Sequence, residues 1–350
     1  MKLEEAIKQI RKIDTDAVKK SEEKWLTLVK PLFSLGRLEN VITQIAGIKG
    51  SCDFTLENKV LVIMCADNGV VEEGISQCGN EVTAIAAKSF LRGESAACIM
   101  AKRAGVKVLP IDAGMVSDIE NMKSIKLAYG SGNIAKGPAM TRDECIKILE
   151  RSIETVGALA KEGQDIILTG EMGIGNTTTA SAVTSVLLGK DPSEVTGRGA
   201  GLSGETLKHK IDVIKKAISV NSPDRNDPID VLSKVGGYDI IGMTGLFIGG
   251  AVYGIPVVID GFISSIAALA ACRIESRVKN FIIPSHLSDE PAAAYILNEL
   301  GLKPFITSGM FLGEGSGAVS LMPLLDMALD VYRGLNTFDK WEHEAYKVLR

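Results

Sequence analysis

The amino-acid sequence predicts an α/β protein, a parallel sheet with helices on both faces, joined by further helices from the two chain ends. Two observations carry the prediction. Through the middle of the chain, short continuous apolar runs alternate with helical patterns, and strands buried on both faces read as such unbroken runs. At the N-terminal end, apolar residues instead recur every three or four positions, the spacing of a one-sided helix.

Taken in order, residues 1–47 place Ile7, Ile10 and Ile13, then Trp25, Leu28 and Leu32, on helical spacings, and residues 319–349 are expected to be helical as well. Between them lie five strand-like runs: KVLVIMCAD (59–67), VKVLPIDAG (106–114), DIILTGEMG (165–173), IPVVIDGF (255–262) and NFIIPSHLS (280–288). Each ends in a polar or glycine cluster: Asp67-Asn68-Gly69, Asp112-Ala113-Gly114, Glu171-Met172-Gly173, Asp260-Gly261 and Ser285-His286. In open parallel sheets the ligand sits beyond the carboxyl ends of the strands, where loops and helix N-termini converge. Five segments distant in sequence are therefore expected to line one pocket. The expected division is a small helical domain, 1–47 with 319–350, and a large domain, 48–318, that carries the site.

A chain of 350 residues buries a sizeable core without disulfides or metals. With a formal charge of −4 and no long Lys/Arg cluster, nucleic acid is not an expected partner. The six cysteines (52, 65, 78, 98, 145, 272) form no CxxC pair, and the three histidines (209, 286, 343) are too few to complete their ligation, which argues against a structural zinc and a disulfide framework. The opening MKLEEAIKQIRKID is a charged amphipathic helix rather than a signal peptide, so a cytoplasmic location is expected. The apolar stretch from Leu246 to Cys272 is broken by Pro256 and Asp260 and reads as buried strand and helix, not a membrane span.

Three glycine clusters carry the chemistry. Gly170-Glu-Met-Gly-Ile-Gly-Asn-Thr-Thr-Thr178 follows a strand and opens a helix, so its backbone amides can face an anion at a positive helix end. The spacing is that of a GxxxxGK[ST] loop, but Asn176 stands at the lysine position, which argues against a nucleoside triphosphatase. The second cluster, Thr196-Gly-Arg-Gly-Ala-Gly-Leu202, leads into a helix with Lys208, His209 and Lys210, any of which is a solvated cation or a phosphate contact. The third, Leu312-Gly-Glu-Gly-Ser-Gly-Ala318, sets Glu314 between glycines, where substrate can approach its carboxylate; it is a candidate general base, or a helix-start glutamate facing the dipole. His286 is a weaker acid–base candidate. No Ser/His/Asp or Cys/His nucleophile pattern stands out, and the GxGxxG fingerprint of dinucleotide enzymes is missing after the first strand.

Together these segments resemble the nicotinate mononucleotide:5,6-dimethylbenzimidazole phosphoribosyltransferase family of cobamide biosynthesis. The matching pieces are SLGRLE (34–39), NGVVEEGIS (68–76), EVTA (81–84), GSGNIAKGPAM (130–140), GEMGIGNTT (170–178), GRGAGL (197–202), VLSKVGGYDIIGMTGL (231–246), DGFISSIAALAAC (260–272), PSHLSDEP (284–291) and LGEGSGA (312–318), in the family's order over nearly the whole chain. The resemblance implies a Rossmann-like large domain, a small helical domain built from both ends, and a dimer with active sites near the subunit interface. It implies that Glu314 deprotonates the incoming azole. Glu171, Gly173, Gly175, Asn176, Thr177 and Thr178 would surround the ribose phosphate, with Lys210 near the phosphate and Asp260, Ser285 and Ser288 on further pocket loops. Asp67, Asn68, Gln77, Cys78, Ala86 and Leu312 would border the base. Nicotinate mononucleotide is then a substrate, and no cofactor or metal is called for; the acidic-pair loop of enzymes using phosphoribosyl pyrophosphate is absent.

The base side departs from the family pattern. Asp67-Asn68-Gly69 replaces the Asp-His-Gly of better-known members, Ser76-Gln77-Cys78-Gly79-Asn80 follows, and Ala86 stands where some members have Gln. Some family members transfer ribose phosphate to phenol or p-cresol and pair two unlike paralogous subunits. A phenolic acceptor, a heterodimer and a non-catalytic partner subunit therefore stand as alternatives to the azole-using homodimer.

Overall fold

Six strands pair in parallel into one sheet: β1 (Lys59–Ala66), β2 (Val106–Gly114), β3 (Lys123–Ser124), β4 (Ile166–Met172), β5 (Val257–Val258) and β6 (Ile282–Ile283), in the spatial order β3-β2-β1-β4-β5-β6. The structure, a computed structural model, describes residues 1–199, 201 and 203–348. Ala200 and Leu202 of the second glycine cluster, and Leu349 and Arg350 of the C-terminal segment, lie outside the described residues. β1 is central, with Lys59 opposite both Val106 and Ile166, and every residue of it is buried. The strand order reverses between β1 and β4, and at such a switch point the connections leave in opposite directions and open a crevice at the carboxyl edge.

Three helices precede the sheet, α1 (Leu3–Lys8), α2 (Thr15–Thr27) and α3 (Arg37–Lys49); α4 (Glu81–Arg92) and α5 (Ala96–Arg103) link β1 to β2. The long α6 (Arg142–Lys161) precedes β4, and α7 (Asn176–Leu188), α8 (Pro192–Val195), α9 (Gly204–Asn221), α10 (Pro228–Val235) and α11 (Tyr238–Tyr253) lead to β5. Then α12 (Phe262–Ile274), α13 (Ala292–Glu299) and α14 (Ser316–Gly334) complete the helices. The first residues of α6 stop its fraying: the Thr141 hydroxyl accepts from the Glu144 N–H (3.2 Å) and the Glu144 carboxylate accepts from the Thr141 N–H (2.8 Å).

The alternation of β1 sorts its side chains onto two cores. Val60, Val62 and Met64 pack with α6, α11 and α12, while Leu61, Ile63 and Cys65 pack with α3, α5 and α14. α11 sits tight against α6 because Gly245 has no side chain; a Cβ there would lie 2.5 Å from Ser152 Cβ. The end helices share the second core: Trp25 of α2 packs on Tyr332 of α14 with ring centroids 4.8 Å apart, and the Tyr332 hydroxyl donates to Ser21 Oγ (3.0 Å).

The α/β class and five strand runs are as expected, with three differences. The edge strand β3 has no counterpart among the expected runs; its two exposed residues carry no periodicity to read. β5 and β6 are only two residues long, because Pro256 lacks a ladder donor and residues 276–281 form a 3-10 turn instead of extended chain. The C-terminal helix is shorter than expected: α14 ends at Gly334, Leu28 bridges Thr337, and 342–348 form neither helix nor strand. Among the described residues no helix is long and apolar enough to cross a membrane.

Candidate active site

A cavity of about 340 Å³ opens beyond the carboxyl ends of β4, β5 and β6. Its wall is built by Glu171 to Ile174, Asn176 and Thr177 after β4, Asp260 to Ser264 after β5, His286, Ser288 and Glu290 after β6, and Phe311 to Glu314 before α14. A smaller recess of about 90 Å³ adjoins it across Gly173–Thr177 and is completed by Ser76, Gln77, Arg198, Gly199 and Lys210.

The recess is cationic. Its floor is the N-terminus of α7, entered through Gly175 at φ 89°, a left-handed turn that side chains resist. Lys210 of α9 is buried there, its ammonium donating to Thr177 Oγ1 (2.8 Å) and to the Gly197 carbonyl (3.3 Å). Burial lowers its pKa to about 8, with the Glu290 carboxylate opposing the shift. A buried ammonium beside a positive helix end is an electrostatic arrangement that an anion completes.

The cavity is acidic. Glu314 has φ 59° between Gly313 (80°) and Gly315 (87°), so three successive residues are left-handed, and the glycines on either side make the turn possible. The bend aims the Glu314 carboxylate at the Ala97 N–H and Ser95 hydroxyl where α5 begins; these oppose the upward push of burial on its pKa. Oε2 of Glu314 is buried and has no partner among the described residues. Asp260 holds this loop from below: its carboxylate accepts from the N–H groups of Gly315 (3.1 Å), Gly317 (2.7 Å) and Ala318 (3.1 Å) at the start of α14. Burial raises the Asp260 pKa, and the His286 charge and those three N–H groups counter it.

Glu171, at the end of β4, has its pKa raised to about 8 by burial and then by the charge of Asp239. Its carboxyl accepts a hydrogen bond from the Asn176 amide, and the Glu314 N–H points at it. Gly317 lets α14 start against His286; a Cβ there would fall well inside the van der Waals radius of His286 Nδ1. Gly317→Ala is therefore expected to destabilise the protein by about 1–3 kcal/mol, the range for overpacking, and to move the Glu314 loop. Chemical denaturation checks it; an unchanged midpoint would mean that His286 moves aside freely.

Of the residues picked from sequence, Glu314, Glu171, Gly173, Asn176, Thr177, Asp260, Ser288 and Leu312 line the cavity, and Gly175, Lys210 and Gln77 line the recess. Gln77 donates to the Gly201 carbonyl (2.9 Å). Thr178 and Ser285 are buried behind the wall, Ser285 donating to the Asp260 carbonyl (3.1 Å). The four remaining base-side residues are not in the wall. Asp67 is buried with Oδ2 accepting from the Val116 N–H (2.8 Å), and the Asn68 amide donates to the Ile174 carbonyl (3.3 Å) beneath the loop. Cys78 folds onto Ser76 and Ala86 packs within α4. Sequence reasoning passed over Met172, Ile263, Phe311 and Glu290, all in the wall; the apolar pair next to the Glu314 glycines was the signal that could have found Phe311.

The chain belongs to a phosphoribosyltransferase family, whose model, described as DBI_PRT phosphoribosyltransferase, matches residues 10–342. It is 46% identical over 351 residues to the nicotinate-nucleotide–dimethylbenzimidazole phosphoribosyltransferase of Ruminiclostridium cellulolyticum, covering 100% of both chains. The enzyme of that name from Acetivibrio thermocellus is 50% identical over 323 residues, 92% of each chain. Among solved structures, CobT from Thermus thermophilus superposes with a TM-score of 0.89 at 34% identity, covering 95% of this chain and 100% of that one.

Proposed function

We propose that this chain transfers the ribose phosphate of nicotinate mononucleotide to 5,6-dimethylbenzimidazole, releasing nicotinate and an α-ribotide of the base. The observation that carries the reading is the juxtaposition of the Glu314 carboxylate, whose Oε2 is buried and has no partner among the described residues, with a cationic recess one loop away. The recess suits the 5′-phosphate, held by Lys210 and the start of α7. The acidic cavity suits the positively charged pyridinium ribose, and its Met172, Ile263, Phe311 and Leu312 suit a flat apolar base.

In the transfer, one ring nitrogen of the azole attacks C1′ on the face opposite nicotinate, the other gives its proton to Glu314, and the C1′–N electron pair leaves with nicotinate as a neutral pyridine ring. The configuration at C1′ inverts from β to α. Because the ring starts as a pyridinium and leaves C1′ as a neutral pyridine, it needs no acid to depart; positioning and one base supply the catalysis, and the reaction as written uses no metal or cofactor. The relatives' names favour the azole and lend no support to a phenolic acceptor or to a non-catalytic subunit. Exposed Ile85, Ile99, Phe311 and Leu312 support the dimer that the resemblance implies, and six free cysteines support a reducing, cytoplasmic setting.

The test incubates the purified chain with nicotinate mononucleotide and, in separate reactions, 5,6-dimethylbenzimidazole, adenine, phenol and p-cresol, scoring nicotinate and α-ribotide by mass. Turnover with the benzimidazole is the expected result. Turnover with phenols alone would replace the acceptor, and no turnover with any of them would defeat the enzymatic reading of the isolated chain.

A further inference from the structure

Behind the cavity wall lies an acid that the transfer chemistry above does not use. Asp239, the second residue of α11, is fully buried and does not border the cavity. It sits directly beneath the phosphate loop: a Cβ on Gly173 would lie 2.9 Å from Asp239 Oδ2. The Asn176 amide nitrogen donates to Asp239 Oδ2 (2.9 Å) and, with its other hydrogen, to Glu171. Asp239 Oδ1 accepts from the Ile240 N–H (2.9 Å).

These contacts explain the residue types. Asn176 must offer two N–H donors to two carboxyl groups, which an amide does and a carboxylate cannot. Asp239 must offer an acceptor on each oxygen, one to Ile240 and one to Asn176, so an amide in its place would set a donor against a donor. The lysine expected at position 176 of a nucleotide-binding loop is thus replaced by a side chain that faces the acids behind the loop. Glu171 and Asn176 reach the substrate cavity, and Asp239 stands behind them.

Resting on the proposed transfer reaction, we propose that Asp239 is a positioning residue: acting through the Asn176 amide, it fixes the Glu171 carboxyl in the cavity wall. Glu171 then keeps its hold on the Glu314 N–H and presents a set geometry to the ribose. The acids facing Glu171 are Asp239 and Asp260, and the Asp239 charge affects it more than the Asn176 hydrogen bond does.

The test is a double-mutant cycle of Asp239→Asn and Glu171→Gln, with kcat and KM measured for nicotinate mononucleotide at saturating benzimidazole. Asp239→Asn is expected to lower kcat about 10- to 100-fold, the scale of a small misplacement of a reacting group, with KM changed less than about threefold. The double variant is expected to be no slower than Glu171→Gln alone, because the two changes remove one arrangement. Multiplied effects, or wild-type kcat in Asp239→Asn, would overturn the proposal. If Asp239→Asn does not fold, Asn176→Ala takes its place in the cycle with the same expectations. A second arm needs no turnover: infrared titration of the substrate-free protein follows the Glu171 carboxyl band, identified by its loss in Glu171→Gln. Its titration should move to lower pH in Asp239→Asn, and an unchanged or raised titration overturns the link. Absence of transfer by the wild type would sink the functional reading, while the infrared arm still decides the positioning role.

Discussion

Glu314→Gln is expected to lower kcat by about 10²- to 10⁴-fold, the contribution of a positioned general base, with KM for nicotinate mononucleotide within about threefold of wild type. Glutamine keeps the length and planarity of the side chain, and its amide oxygen can still accept from the Ala97 N–H and Ser95 hydroxyl at the start of α5. The backbone strain at φ 59° is the same for both residues, so the loop should hold. What is lost is the capacity of Oε2, buried and without a partner among the described residues, to take a proton from the acceptor. The pH dependence follows with a definite sign. Burial raises the Glu314 pKa above the ordinary glutamate value, and the base works only when ionised, so kcat should fall as pH drops through that raised value. Steady-state nicotinate release across the acid and neutral range checks both. Turnover within a few-fold of wild type in Glu314→Gln would remove Glu314 from the role of base.

The parts legible in the sequence are those written in local patterns. Continuous apolar runs mark β1, β2 and β4 nearly to the residue, since strands buried on both faces, as β1 is throughout and β2 in its second half, have no alternation to mistake. Glycines flanking Glu314 and preceding Asn176 announce left-handed turns at cavity-facing loops, and both loops line the cavity. What escapes is set by tertiary contact. Whether Asp67 and Asn68 face a ligand or the protein depends on where Val116 and Ile174 come to lie, which no local spacing encodes. Asn176 lines both the cavity and the recess, while the partners of its amide, Glu171 and Asp239, the latter 63 residues along the chain, are likewise set by tertiary contact. The composition of the C-terminal segment suits one long helix; Gly334 and the bridge from Leu28 to Thr337 end it early.

Lys210→Met is expected to cut kcat/KM for nicotinate mononucleotide about thirtyfold or more, as follows from the roughly 2–5 kcal/mol lost when one partner of a buried charge pair is truncated. The loss should fall mainly on KM, because the phosphate is held alike in the ground and transition states. KM for the benzimidazole should stay near wild type, since Lys210 borders the recess and not the apolar wall. The free lysine has its pKa lowered to about 8 by burial, so its charge costs stability at neutral pH in the absence of ligand. The methionine variant should accordingly melt no lower than wild type, which separates lost binding from lost folding. The depressed pKa also fixes the alkaline limb. Only the ammonium form attracts the phosphate, so wild-type kcat/KM should hold up to about pH 8 and then fall about tenfold per unit. Lys210→Arg keeps the charge at every accessible pH and should abolish that limb, at a lower plateau because the longer planar group does not reproduce the bond to Thr177 Oγ1. An alkaline limb that persists in Lys210→Arg would assign it to another group, and kcat/KM within threefold of wild type in Lys210→Met would move the phosphate out of the recess.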